Sequence, residues 1–527
     1  MTETIDRKLP VGIQSFEEIR KNDYLYVDKT DIIWNLANKN KKYNYLSRPR
    51  RFGKSVLVDT LEAYFLGKKE LFEGLKIMDL EKEWVKRPVI RLDMSRGGAT
   101  ATEIQSYLKI AFGKYEKLYG IVTEVGASLA DRFDDIIQTA CQQTGQQVAI
   151  LIDEYDSPLQ HSWKTPEHEG CTAVYRSVFA ILKADDKYEK FVFITGITKF
   201  TQISLFSVLN NLSNISFDAP FAALCGITKQ EIIDNFMPEI EVMGEENGWT
   251  AEETLQRLKA QYDGYHFSAD NMVDVFNPFS LINALSDKKL RNYWASSGAT
   301  SLLPKFVSDM EIRLKDFENC PVDSDTLETS DVTDGGAELF LYQSGYLTIK
   351  GSMEDIYLLG IPNHEVRKAL YKVVLPALTM QQSSQVISIQ NMLQYAMYQG
   401  NLDEAKKCLK ALIADVPYSN KKLASMDMEE RYRLIMSTIF NAIGFRVEVE
   451  KMIATGRIDM VVTADRFIYV MELKLSKNGG MAAAETQIKT HRYIEPFKAD
   501  AKRKVIALAV ELDDMGKGLI DWKQVEE

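Results

Sequence analysis

Residues 46–55 read LSRPRRFGKS, between the strand-like run YNYLS and the helical pattern VLVDTLEAYFLG. A loop that binds phosphate needs a strand before it, backbone N–H groups that wrap the oxygens, and a helix whose N-terminus faces them. At this position Lys54 would reach the β- and γ-phosphates of a nucleotide and the Ser55 hydroxyl would ligate Mg²⁺, while Gly53 permits the backbone to wrap. Arg48 stands where the usual pattern G-x-x-x-x-G-K-[ST] has its first glycine. Arg50 and Arg51 could add positive charge beside the phosphates; they equally read as a solvated basic turn, and the whole segment as an exposed turn opening a helix.

A second run, QQVAILIDEYDSPL (146–159), ends an apolar strand in Asp153 and Glu154. A buried strand with two carboxylates at its tip suits a nucleotide site. Asp153 would hold the Mg²⁺ shell and Glu154 would orient or deprotonate the attacking water. In a third strand, FVFITGITKF, Thr195 is a candidate contact to the γ-phosphate, or a simple strand-end threonine.

A different chemistry is written in GRIDMVVTADRFIYVMELK, residues 456–474. Side chains at i and i+2 of a strand share a face, so Glu472 and Lys474 point the same way and Asp459 can meet them from the neighbouring strand. Asp459 and Glu472 would hold Mg²⁺ against a scissile phosphate, and Lys474 would orient the water and offset negative charge. A lysine inside the apolar strand FIYVMELKL costs desolvation unless a partner or a function keeps it there. The plain alternative is a hairpin whose Asp, Glu and Lys form a solvated face. Glu429 or its neighbour Glu430 adds a carboxylate from the preceding helix, and Gln487 could point back at metal or substrate.

These residues require particular elements. The first 285 residues alternate apolar strands (Tyr43–Ser47, Val89–Asp93, Val148–Asp153, Phe191–Thr195) with amphipathic helical stretches, which predicts a parallel α/β sheet. Residues 286–385 read as a small connecting domain with short strands, and Gln381–Gln385 as a joint. Residues 386–527 begin with helices over Val386–Val416, with another break at Ser419–Lys422. A predicted α-β-β-β-α-β unit follows: helix Met428–Ile443, strands Phe445–Met452, Arg457–Thr463 and Phe467–Leu475, helix Met481–Phe497 and strand Lys504–Leu512.

Composition narrows the classes. Of 527 residues, 45% are apolar and 26% charged, as in ordinary globular proteins. No run approaches the roughly 20 apolar residues of a membrane span, and the N-terminus lacks the apolar core of a secretory signal. Five dispersed cysteines and five histidines argue against a disulfide frame or a histidine-built metal centre, and for a cytoplasmic setting. The net charge of −11 weighs against nucleic-acid binding by the surface at large, but not by a local basic cleft.

The motif set resembles the bacterial AAA-ATPase-like family, many of whose members carry a C-terminal PD-(D/E)xK nuclease domain. The resemblance runs through LPVGIQSFEEIRKNDYLYVDKT, LSRPRRFGKS, LIDEYDSPL, FITGITKF, YDGYHF, FNPFSL, YQSGYLTI, GRIDMVV, YVMELKL and the QIK…Y segment, so it covers nearly the whole chain. The family's loop also reads SRPRRFGKS, so Arg48 follows the family. The resemblance implies an AAA-like P-loop domain and a restriction-endonuclease-like domain. Lys54, Ser55, Asp153 and Glu154 would lie at ATP with Mg²⁺; Asp459, Glu472 and Lys474 would lie at the nuclease centre, with Glu429 as the helix acid. The expected partner is nucleic acid, DNA favoured over RNA, with no membrane and with a homo-oligomer left open. The competing expectation is a nucleotide-dependent binding or signalling switch that does not cut.

Overall fold

The computed structural model describes residues 8–199, 212–294, 303, 317–329, 336–379, 384–414 and 426–526. Residues Gln381–Ser383 of the expected joint and the break at Ser419–Lys422 lie outside them. The chain forms two compact units, Met1–Thr300 with Asn319–Asn363 and Ser301–Glu318 with His364–Glu527.

The first unit is built on a parallel sheet of β1 (Tyr43–Ser47), β2 (Val89–Asp93), β3 (Val148–Asp153), β4 (Glu189–Gly196) and β5 (Ser213–Asn214), in the order β2-β3-β4-β1-β5. Every residue of β3 is buried, as a strand covered on both faces requires, and that is why VAILID is an unbroken apolar run. Helix α1 (Lys54–Phe65) leaves β1 through Gly53, whose φ of +91° is accessible without strain only to glycine. Helices α2 (Ala101–Tyr119) and α3 (Leu129–Thr144) each begin with a capping box, on Thr100 and on Ser128, and each ends at a left-handed glycine. A separate core of Ile232, Phe236, Leu258 and Leu281 joins helices beside the two-stranded sheet β6 (Ile227–Thr228) and β7 (Val275–Phe276). Residues 319–363 add an antiparallel sheet of β8 (Cys320–Asp323), β9 (Thr348–Met353) and β10 (Ile356–Gly360).

The second unit carries helices His364–Thr379, Ser384–Gln399 and Leu402–Ala414, then α4 (Met428–Ala442). Its sheet runs β11 (Arg446–Ile453), β12 (Gly456–Thr463), β13 (Phe467–Leu475), β14 (Lys504–Leu512) and β15 (Leu519–Val525), in that order across the sheet. All pairs are antiparallel except β13 with β14, which are parallel and joined through α5 (Gly480–His491). The α-β-β-β-α-β order is present, with β15 as an added edge strand. Helix α5 is shorter than the predicted Met481–Phe497. Arg492 turns left-handed at φ +48°, and Pro496, with no N–H to give, sits in a separate 3₁₀ turn at Glu495–Phe497. No helix among the described residues is long and apolar enough to cross a membrane.

Candidate functional sites

The parallel sheet sets β4 between β1 and β3, so the loop after β1 and the tip of β3 open at the same sheet edge. Between them lies a cleft of about 540 Å³ lined by Arg50, Arg51, Gly53, Lys54, Ser55, Asp153 and Glu154. Lys54 is buried; its Nζ donates to the carbonyls of Arg48 at 3.0 Å and Pro49 at 3.1 Å, and stands 3.7 Å from Glu154 Oε1. Burial, then the neighbouring Glu154 charge, pushes the Asp153 carboxyl up to about 6, against the opposing pull of Lys54 and a hydrogen bond from Ser55. Glu154 leaves the strand left-handed at φ +49°, a strained turn for a non-glycine residue and one that concentrates at functional sites.

Arg51 also lies in the left-handed region, at φ +68°, with its guanidinium 4.7 Å over the Phe279 ring. The Arg50 carbonyl accepts from Trp294 Nε1 at 3.3 Å. Thr195 is fully buried and its hydroxyl donates to the Leu46 carbonyl at 2.9 Å, so it ties β4 to β1 and does not line the cleft. Arg48 is buried too. Its Nη1 donates to the carbonyls of Ser47 and Ser216 at 2.8 Å and its Nη2 to that of Phe221 at 3.1 Å, with the guanidinium 4.1 Å over the Phe267 ring. The glycine position of the loop is therefore filled by a cation that closes backbone acceptors.

A further acid went unassigned by the sequence motifs. Asp156 is fully buried and accepts from the Ile197 and Thr198 N–H groups, the Thr198 hydroxyl and Gln160 Nε2, at 2.5–3.2 Å. It pins the turn after β3 to the turn after β4. Its place in LIDEYDSPL, three residues past Asp153, was the available signal.

In the second unit Asp459 and Glu472 oppose each other where β12 and β13 stop pairing beyond Met460 and Met471. Asp459 Oδ2 accepts from the Leu473 N–H at 2.9 Å, replacing a ladder bond with a side chain. Lys474 Nζ donates to Glu472 Oε1 at 2.7 Å and stands 4.0 Å from both Asp459 Oδ2 and Glu429 Oε1. Glu472 is wholly buried, and burial with the adjacent Asp459 raises its carboxyl above the usual range. Burial alone would lower the Lys474 ammonium; its hydrogen bond to Glu472 and the surrounding carboxylates outweigh that and raise it. Burial likewise raises Glu429. Gln487 is turned to the Tyr493 hydroxyl at 2.9 Å, and that hydroxyl donates to the Arg457 carbonyl at 2.8 Å.

Among the described residues no three His, Cys, Asp or Glu side chains are gathered to hold a metal ion by themselves. The donor set still fits Mg²⁺, which keeps several waters and takes one or two carboxylates plus phosphate oxygens. Glu472 Oε2 is buried without a hydrogen-bond partner, an orphaned acceptor that a cation would satisfy. At the loop site the Ser55 hydroxyl and the Asp153 carboxylate make the corresponding pair.

Comparison with known proteins agrees with this division. Residues 10–206 match the family model described as predicted AAA-ATPase, and residues 427–522 match the PD-(D/E)XK nuclease superfamily. An "uncharacterized protein in vnfD 5′ region" of Azotobacter chroococcum mcd 1 is 30% identical over 515 residues, covering 94% of each chain. Among solved structures, Cdc6p from Pyrobaculum aerophilum is 11% identical with a TM-score of 0.22, over 71% of this chain and 96% of that one. The Aeropyrum pernix ORC2 protein is 11% identical with a TM-score of 0.17, over 72% and 97%. The chain belongs to the AAA-ATPase-like family, with a C-terminal domain of the PD-(D/E)XK nuclease superfamily.

Proposed function

We propose that the protein binds and hydrolyses ATP in its first unit and, under that control, cleaves nucleic-acid phosphodiester bonds in its second, in the cytoplasm and on DNA in preference to RNA. The observation that carries this reading is the Lys474 ammonium, hydrogen-bonded to Glu472 and equidistant at 4.0 Å from Asp459 and Glu429. A solvated face would not bury Glu472 completely, nor leave one of its oxygens without a partner.

Asp459 and Glu472 would hold Mg²⁺, which when bound polarises the phosphate and acidifies a water. Lys474 Nζ carries protons that orient the attacking water and stabilise charge on the phosphoryl oxygens. Glu429 holds the far side of the ammonium. In the first unit Lys54 Nζ exchanges its carbonyl contacts for phosphate oxygens, and Ser55 and Asp153 would hold the accompanying Mg²⁺. Glu154 accepts a proton from the attacking water. Arg50 and Arg51 add positive charge at the cleft mouth, and the buried Thr195 fixes the β4 tip. Gln487 supports Tyr493.

The test incubates the full chain with plasmid DNA and structured RNA in Mg²⁺ or Mn²⁺, with and without ATP, beside Lys474→Ala. Cleavage that is lost in the variant is expected, with DNA cut faster and with a rate that responds to ATP. Equal cleavage by the variant would sink the assignment. ATP-dependent binding with no products under any metal would replace it with a binding switch, the reading that the net charge of −11 favours.

A further inference from the structure

A chain of charges runs outward from Asp459 that the hydrolytic chemistry above does not use. Arg433 Nη1 lies 3.8 Å from Asp459 Oδ1 and donates to Glu450 Oε1 at 2.7 Å. Arg457 Nη1 stands 3.1 Å from that same Glu450 oxygen. Arg433 follows Glu429 by four residues on α4, which places both on one helix face. Arg457 precedes Asp459 by two residues on β12, which places them on one sheet face. The two guanidinium groups differ in access: the Arg433 side chain is 9% exposed and that of Arg457 is 54% exposed. The series leads from solvent to the carboxylates.

Glu450 is held there at a cost. It lies directly across from Asp459 in the β11–β12 register, where the ladder skips a pair, and its backbone is left-handed at φ +51°. A non-glycine residue in that region in mid-strand persists only where its surroundings over-determine it. Arg433 Nε is buried without a hydrogen-bond partner. The 54% exposed Arg457 side chain meets only one edge of Glu450, so its guanidinium keeps N–H donors facing solvent, and that planar fork matches the oxygens of a phosphate. The Arg457 backbone is fixed independently, through the Tyr493 hydroxyl on its carbonyl.

We propose that Arg457, held by Glu450 and backed by Arg433, is a subsite for the nucleic-acid backbone, receiving the phosphate next to the scissile one. This rests on the nuclease reading and adds to it where the strand lies: along β12, from Arg457 toward Asp459. Arg433 is a positioning residue, acting through Glu450 and Asp459. The exposed Arg457 guanidinium offers a backbone phosphate a local contact that the acidic chain as a whole does not.

The test uses the full chain carrying Lys474→Ala, so that substrate persists, and an end-labelled 20-nucleotide DNA duplex or its single strand in Mg²⁺. Fluorescence anisotropy is read across a salt series, with and without Arg457→Gln. Affinity is expected to fall about tenfold and the slope of log K against log salt to flatten by about one unit, with Arg457→Lys recovering part of both. In chain retaining Lys474, Arg457→Gln is expected to raise KM more than it lowers kcat. Arg503→Gln, an exposed residue paired locally with Asp500, serves as the charge-matched control. If the unaltered protein cuts and Arg457→Gln matches it in affinity, salt slope and KM, the subsite is wrong and the nuclease stands. If the unaltered protein neither binds nor cuts, both fall together.

Discussion

Arg48 illustrates how a single residue can be legible as an anomaly and illegible as a device. The sequence marks it as the departure from the glycine pattern, and nothing nearby says why. Its partners are the carbonyls of Ser216 and Phe221 and the ring of Phe267, more than 160 residues away along the chain. Burial lowers the Arg48 guanidinium from its ordinary range against the opposing pull of Cys225, Tyr342 and Asp218, while its hydrogen bonds go to backbone carbonyls and its face to an aromatic ring. Replacing it by the glycine of the common pattern would strand those acceptors and open a void beside Phe267. Arg48→Gly is expected to destabilise the protein by about 2–4 kcal/mol, read as a lower urea midpoint with unchanged slope; an unchanged midpoint would mean the loop does not depend on it. Lys54, Asp153, Asp459, Glu472 and Lys474 were legible because their chemistry fixes both residue type and spacing. Arg433 and Glu450 were not. The first announces itself only as i+4 from Glu429, and the second reaches its partners through a left-handed turn that no residue-type rule assigns to glutamate.

At the scale of elements, the central strands could be read nearly to the residue, because strands buried on both faces must be continuous apolar runs. The edge strand β15 could not. Its buried residues, Leu519, Trp522 and Val525, fall every third position, so LIDWKQV shows neither strand alternation nor a helical stripe. The tip of β3 carries a consequence for stability. Asp153 is raised from an ordinary 3.8 to about 6, so the folded state holds that proton more tightly than the unfolded chain does. The resulting stabilisation is complete below pH 3.8 and is lost as pH rises through about 6. Asp153→Asn, which never charges, is therefore expected to melt progressively higher than the unaltered chain between pH 4 and pH 7 in metal-free buffer. Mg²⁺ with nucleotide should close that gap near pH 7 by stabilising the carboxylate. Parallel melting curves for the two proteins across that range would show that Asp153 does not titrate there.

For the molecule as a whole, the two candidate sites sit in units with separate sheets, and the 30% identity to a relative extends over 94% of both chains, so it spans both units. The sequence could place each site within its own α/β pattern. It reads residues 286–385 as a connecting domain with short strands; of these, residues 319–363 group with the first unit, and their Gln343 side chain accepts from the Lys199 N–H just past β4. That contact joins segments 144 positions apart, and no local periodicity encodes it. The same organisation separates the sites experimentally. A ligand present at 100 times its Kd stabilises the state that binds it by about 2.7 kcal/mol, so Mg²⁺ and ATP should raise the melting temperature of the unaltered protein. Lys54→Ala should abolish that rise, because its Nζ stands inside the loop on the Arg48 and Pro49 carbonyls, where a phosphate would be held. Lys474→Ala should preserve the rise while cleavage is lost, since nucleotide affinity belongs to the first unit's cleft. A rise that survives Lys54→Ala would place ATP elsewhere, and no rise in the unaltered chain would make the loop a scaffold whose lysine is spent on the Arg48 and Pro49 carbonyls.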